Sequence, residues 1–418
     1  MASRESEFKT LTEVGTLGRG KSKHRPRNDP ALYGGEYPFV QTGDVKHSPF
    51  YLAQYTQTYN AKGLAQSKLW PPGTLCITIA ANIADTAVLA IPACFPDSIL
   101  GFTPYQQQAD VRYAKYCLDA FRGHMEQISK GTTQDNLSMD KLLKLRFWFP
   151  AYEVQRRIAA LLTAYDDLIA NNQHRIALLE SMAEEIYREW FVRMRSPGHG
   201  VVRKTKGIPN GWTLSTFEAI AHFVMGQSPS SEHYNETGDG LPFHQGVGTY
   251  GDRFPQHRVF CSSAGRKANA GDILFSVRAP VGRLNIADTE LIIGRGLAAM
   301  RHKQGLNSYL FYLLKVTFAN EDMIGNGSIF NSVGKDELAK QAILCPPIEL
   351  AEKFEALIKP LDTQLATLYS ANIKLSNLRE ALLTRLISGK LRVDALDIQF
   401  PPSMQQPAEA AQPAAIFS

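Results

Sequence analysis

Apolar residues recur with a seven-residue period after Pro150. One seam is Ile158, Tyr165, Asn172, Leu179 and Ile186, and the other is Leu162, Ile169, Ile176, Ala183 and Trp190. They interleave by four and three, the a/d pattern of a coiled-coil helix. A second stretch repeats it, with Phe354, Leu361, Leu368, Leu375 and Leu382 beside Ile358, Leu365, Asn372, Arg379 and Leu386. At a rise of 1.5 Å per residue, about 40 residues make each predicted helix roughly 60 Å long. One such helix alone leaves its stripe wet, whereas two in one chain bury each other. Asn172 and Asn372 sit on the seams as helix-register residues, where a polar group costs stability and fixes alignment; a frayed or solvent-facing edge is the alternative. Pro360 is expected to kink the second helix or to mark its true start.

The regions ahead of the helices read differently. Short β-branched and apolar runs (Leu75–Ile79, Ala87–Ile91, Asp272–Val277, Leu291–Ile293) are punctuated by Gly and Pro, as strands joined by long loops are. Two shorter helices are predicted at Val111–Phe121 and Ser308–Phe318. The two halves also resemble each other. A shift of 196 residues matches Pro150, Glu153, Leu161, Asp166, Leu179 and Glu184 with Pro346, Glu349, Leu357, Asp362, Leu375 and Glu380. Upstream pairs drift by a few residues: Gly73–Ile77 with Gly271–Phe275, Pro38–Gln41 with Pro242–Gln245, and Gly20–Ser22 with Gly226–Ser228. The chain is therefore a tandem duplication, each half a globular α+β part followed by a long helix. Length, duplication and flanking domains favour the helices as a rigid spacer over ordinary bundle core.

Composition narrows the class. The 418 residues carry 45 Lys+Arg against 40 Asp+Glu, a net charge of +5 that permits a nucleic-acid partner without demanding one. The most apolar stretch, Leu75–Ala93, is broken by Asn82, Asp85 and Pro92, so no membrane span is expected. Met1-Ala-Ser-Arg-Glu-Ser-Glu has no apolar segment of the secretory kind. Five widely spaced cysteines without a Cys-x-x-Cys argue against a disulfide framework or a zinc site and fit a cytoplasmic protein.

The ordered set of segments resembles the specificity subunit of type I restriction-modification systems. The segments are Phe39–Val45, Ala81–Leu89, Ile208–Leu214, Gly271–Gly282, Gly294–Met300 and Ile387–Leu391, together with both helices; they cover nearly the whole chain. The resemblance implies an α+β fold of two similar target-recognition domains, separated by two long antiparallel coiled-coil helices in a pseudo-twofold tandem repeat. The expected boundaries are 1–149 and 196–345 for the recognition domains, 150–195 and 346–392 for the spacer helices, and 393–418 for a disordered tail. Each domain is then expected to read one half of a split double-stranded DNA site, with the helices setting the gap. Implied partners are two DNA methyltransferase (modification) subunits and the restriction (translocase/endonuclease) subunits. S-adenosylmethionine, ATP and Mg belong on those partners, with no cofactor on this chain. No membrane association is implied.

Candidate DNA contacts follow from residue chemistry. The stretch Gly18–Arg27 is a glycine-containing basic loop whose Lys21, Lys23, Arg25 and Arg27 suit phosphate contacts, although a solvated charge run has the same look. Arg278 and Arg283 flank a Pro-Val-Gly turn, and Arg295 lies between two glycines; each can pair with guanine or serve as a structural ion-pair partner. Lys130, Thr132 and Thr133 occupy the place that Asn326 and Ser328 take in the second half, suited to phosphate or base edges or to a plain turn. Gln41 and Gln245, each after Pro-Phe and one residue, can read adenine or bond a strand end.

No glycine-rich cofactor loop after a strand, Asn/Asp-Pro-Pro-aromatic motif, Walker A segment, nuclease carboxylate set or metal-ligand histidine spacing is found. The chain is therefore expected to be non-catalytic, and His24 and His257 to be surface residues. The alternatives are a fused restriction-methylation enzyme, or a coiled-coil adaptor without DNA binding.

Overall fold

The computed structural model describes residues 8–80, 84–125, 139–197, 204–205, 208–318, 332–393 and 396–405. The chain forms two compact units, Met1–His174 with Tyr369–Ser418, and Arg175–Leu368. Both cuts fall inside the long helices, so each unit owns one part of each helix. The helices are thus not domains apart from the globular parts, as their continuous heptads suggested.

In the first unit the central sheet is built from β1 (Gly15–Arg19), β3 (Leu75–Thr78), β4 (Thr86–Leu89) and β6 (Ile99–Pro104), in the order β1-β6-β3-β4 with Tyr51–Leu52 at the far edge. β6 pairs antiparallel with β1 (Leu100 opposite Arg19) and with β3 (Leu100 opposite Ile77). Alternation sorts its side chains between two cores. Leu75, Ile77, Val88, Leu100 and Phe102 face helix α1 (Val111–Ala120) and the long helices. Cys76, Ala87, Leu89 and Ile99 face the other way, onto Trp70 and Phe95. Buried on both faces, β3 and β4 read as unbroken apolar runs rather than as alternation. A smaller sheet joins β2 (Tyr33–Phe39) in parallel to β5 (Ala93–Cys94).

The second unit repeats this plan. β7 (Ala221–Met225), β11 (Leu297–His302) and β9 (Ile273–Ser276) lie in the order β7-β11-β9 with Leu284–Ile286 at the edge. β8 (Leu241–His244) runs parallel to β10 (Leu291–Ile293). Ile273, Phe275, Ala298 and Met300 face helix α3 (Asn307–Phe318), and Leu274, Leu297 and Ala299 face a separate small core.

The long helices are α2 (Tyr152–Tyr187) and α4 (Ile348–Ile387), 36 and 40 residues long. Every seam position of the two heptad patterns is buried or half-buried. Within the first unit the pairing is antiparallel: Asn172 bonds Asn372 at 2.9 Å, and Asp166, six residues earlier, bonds Arg379, seven residues later, at 2.9 Å. α4 neither starts nor stops at Pro360. The proline forfeits one backbone hydrogen bond, and the buried Ile358 and Leu365 on either side keep the helix in register.

The expected tail is shorter than its composition suggested. Val393 is buried in the first core, with Ile398 and Met404 packed against it. Ser403 donates to Asp167 at 2.6 Å, and Arg156 lies over the Phe400 ring. Four well-spaced apolar residues, Val393, Ile398, Phe400 and Met404, suffice to dock a segment that is otherwise largely polar or Pro. Residues 406–418 lie outside the described ones. The described cysteines are free thiols, four of them buried, and no described helix is long and apolar enough to cross a membrane.

Candidate nucleic-acid interface

In the second unit, the parallel strands β8 and β10 end side by side, and their exits form a polar ledge. Gly294 N–H donates to the His244 carbonyl (2.8 Å) and Gly296 N–H to the Gln245 carbonyl (3.1 Å). A Cβ on Gly294 would fall 2.8 Å from Gln245 Oε1, so only glycine admits that side chain so close. A strap leaving β7 closes the ledge: Gly226 N–H bonds the Leu297 carbonyl and Gln227 N–H the Ile293 carbonyl. It delivers Ser228, whose Oγ accepts from Arg295 N–H (3.3 Å) and donates to Gln245 Oε1 (2.8 Å). Gln245 and Arg295 are exposed. Among the described residues no carboxylate pairs with the Arg295 guanidinium. The neighbouring turn carries Arg278 and Arg283, also exposed; Val277 N–H bonds the Gly296 carbonyl, and Arg283 N–H bonds Ser276 Oγ at 2.8 Å. The structure thus gathers Gln245, Arg278, Arg283 and Arg295 at one end of the second unit's strands.

The first unit builds the same ledge from other side chains. Gly20 N–H bonds the Ile99 carbonyl and Lys21 N–H the Phe95 carbonyl, as Gly226 and Gln227 do in the second unit. Gln41 follows β2 as Gln245 follows β8. Its Nε2 donates to Gln57 Oε1 (2.6 Å), and its backbone N–H to Asp44 Oδ2 (2.8 Å). At the place of Arg295 stands Asp97, which holds Arg27 through both carboxylate oxygens at 2.8 and 3.0 Å. At the place of Arg283 stands Asp85: its N–H bonds Thr78 Oγ1 (3.0 Å), and its carboxylate takes Arg122 (2.7 Å).

The basic loop divides by role. Lys21, Lys23 and Arg25 are all exposed, and Arg25 donates to the carbonyls of Ser22 and His24 at 2.7 and 2.8 Å. Arg25 and Arg27 therefore shape the loop. His24 bonds Asp29 at 2.7 Å, and that carboxyl is held below its ordinary range mainly by the Ala31 backbone N–H and then by His24. Lys130, Thr132, Thr133, Asn326 and Ser328 lie outside the described residues.

His257 differs from the surface residue expected. It joins a half-buried chain in which His244 bonds Thr249 Oγ1 (2.7 Å) and His257 Nδ1 (3.0 Å), while His257 Nε2 reaches Asp288 at 3.1 Å. Burial first, and His257 second, push the His244 imidazole down to about 4, so it is neutral at pH 7 beneath Gln245. Sequence reasoning also passed over Ser228, Asp97 and Asp85. Their signal was the alignment of the halves, which sets Asp against Arg at two places once the strands fix the register.

Two copies of one α+β plan, each ending its parallel strand pair in an exposed polar ledge, define a duplicated recognition module. The family model for the type I restriction modification DNA specificity domain matches residues 3–181 and 209–375, and the chain belongs to that family, with one copy in each half. Among relatives, a Methanocaldococcus jannaschii protein bearing the name of the type I restriction enzyme MjaX specificity subunit is 28% identical over 304 residues, covering 71% of this chain and 72% of its own. The MjaIX specificity subunit of the same organism is 22% identical over 410 residues, 93% of this chain and 94% of its own. The fold is also similar to that of a type I restriction-modification S subunit from M. genitalium, with a TM-score of 0.61 at 14% identity over 91% of this chain and 95% of that one. The chain is accordingly a DNA sequence-specificity subunit with two target-recognition domains.

Proposed function

We propose that each unit reads one half of a bipartite double-stranded DNA site through its polar ledge, with the long helices setting the gap between the half-sites. The observation that carries this reading is the recurrence of the ledge itself. Two parallel-strand exits, two glycine straps and two glutamines are kept, while the charges on them differ, as two readers of different sequences require. Bond chemistry belongs to partners: two methyltransferase subunits that bring S-adenosylmethionine, and restriction subunits that bring ATP and Mg. The exposed Leu168, Leu178, Met182, Ile373 and Leu378 on the long helices supply apolar surface for such docking. A cytoplasmic site of action fits DNA and these partners.

Selection of randomised duplexes on the full chain tests the reading. The expected product is a two-part motif with an unspecified gap, and affinity that falls steeply with salt as phosphates exchange counterions. Removing one heptad from each long helix, Ile176–Met182 in α2 and a matching one in α4, shortens the rods by about 10 Å. The gap should then shrink by about three base pairs at 3.4 Å each. A one-part motif, or an unchanged gap, overturns the reading. Methyl transfer by the chain alone favours the fused-enzyme alternative.

A further inference from the structure

The two ledges superpose in topology but oppose each other in hydrogen-bonding polarity. In the second unit, Ser228 Oγ accepts from Arg295 N–H and donates its proton to Gln245 Oε1. That fixes the Gln245 amide with its NH2 outward. Beside it stands Arg295, a donor at every nitrogen. The ledge therefore presents donors, and Gln245 is not set up for the two-way pairing with adenine that its residue type permits. In the first unit Asp97 replaces Arg295, Asp85 replaces Arg283, and Ala80 takes the place of Arg278. Gln41 donates one N–H to Gln57 Oε1, so its own Oε1 remains an acceptor at the ledge. Arg27 Nη2 takes one acceptor site on each Asp97 oxygen, so this ledge keeps the remaining carboxylate lone pairs with its charge balanced.

Base edges in the major groove carry the matching code. Guanine offers only acceptors, O6 and N7, whereas cytosine and adenine offer an exocyclic amino donor. We propose that Gln245 and Arg295 read a guanine in the second half-site, and that Gln41 and Asp97 read an exocyclic amino group, on cytosine or adenine, in the first. This rests on the bipartite reading above. Lys21 and Lys23 then supply the phosphate attraction that a carboxylate-bearing ledge lacks, and the strap Gln227–Ser231 of the second unit, which lies beside Arg295, has no such lysines.

The test is randomised-duplex selection on the full chain and on its Arg295→Ala and Asp97→Asn variants. Wild type is expected to enrich guanine at a position of one half-site. Arg295→Ala should reduce that preference roughly ten- to hundredfold, leaving the other half-site as it was. Asp97→Asn keeps the side chain's size and adds a donor, so it should relax the amino-group preference in the first half-site alone. The intact half-site serves in each case as the control for folding. Uniformly weaker binding with an unchanged base profile makes Arg295 a phosphate contact and overturns this proposal while sparing the bipartite reading. Absence of any enriched motif for wild type overturns both.

Discussion

Asn172 and Asn372 hydrogen-bond to each other across the helix pair at 2.9 Å, and the Asn372 amide also reaches the Ile169 carbonyl at 3.4 Å. Both sit on mainly apolar seams and are half-buried. Replacing one by leucine strands the other amide, at a cost of about 1–2 kcal/mol. Replacing both restores an apolar layer and is expected to be neutral or stabilising while loosening the register. Urea midpoints of N172L, N372L and the double variant check this: two destabilised singles with a recovered double are expected, and additive losses argue that the pair fixes nothing.

Much of the plan was readable because duplication and periodicity are local signals. The predicted helix Val111–Phe121 is observed as Val111–Ala120, and the run Asp272–Val277 as the strand Ile273–Ser276. Sheet order was not readable, since β6 inserts between β1 and β3 by pairing over more than 20 residues of chain to the nearer of them. Nor were the site partners. Asp97 lies 70 residues from Arg27, and Ser228 and Gln245 meet only because two strands and a strap converge. No spacing rule encodes such meetings. The packed stretch through Gln405 escaped notice because a few anchors, not average composition, decide docking.

The aspartates Asp166 and Asp362, 196 residues apart in the duplicated helices, are each clamped by an arginine of different origin. Asp166 takes Arg379 from the other long helix and the Tyr116 hydroxyl at 2.6 Å. Asp362 takes Arg253, which comes from the globular part, has a side chain only 3% exposed and stacks over Phe311. Removing one partner of a buried pair leaves the other charge unanswered. Arg253→Ala is therefore expected to cost the second unit about 3–5 kcal/mol. Arg379→Ala should cost the first unit less, about 1–2 kcal/mol, because that pair keeps more contact with water. Hydrogen-exchange protection of β9 and of β3 in each variant reads the two units separately; equal losses in both contradict the assignment.

Acid should weaken the second unit through His244. Its folded value of about 4 lies below the ordinary 6.5, chiefly because burial disfavours the cation. Below the unfolded value the unfolded chain binds the extra proton, so stability present above pH 6.5 is lost as pH falls towards 4. Between pH 7 and pH 5 this amounts to roughly 1–2 kcal/mol. His302, also driven to about 4 by burial, adds in the same direction. Burial raises Glu355 and Asp362, which act in the opposite sense, so the wild-type slope is a net quantity. The difference between wild type and His244→Gln isolates the histidine. Denaturant midpoints followed by exchange in β9 should fall more steeply with acid in wild type, and parallel curves refute the assignment.

Each ledge hangs on one glycine of its strap. A Cβ on Gly20 would lie 2.2 Å from the Pro96 carbonyl oxygen, and one on Gly226 would lie 2.1 Å from the Gly294 carbonyl oxygen. Both clashes are with backbone, which cannot swing aside as a side chain can, so the strap must lift and release its two hydrogen bonds. Gly20→Ala and Gly226→Ala are each expected to cost about 2–4 kcal/mol in their own unit. In duplex selection, Gly20→Ala should erase the first half of the motif and keep the second, and Gly226→Ala should do the reverse. Loss of both halves from either substitution would mean that the two units do not read DNA independently.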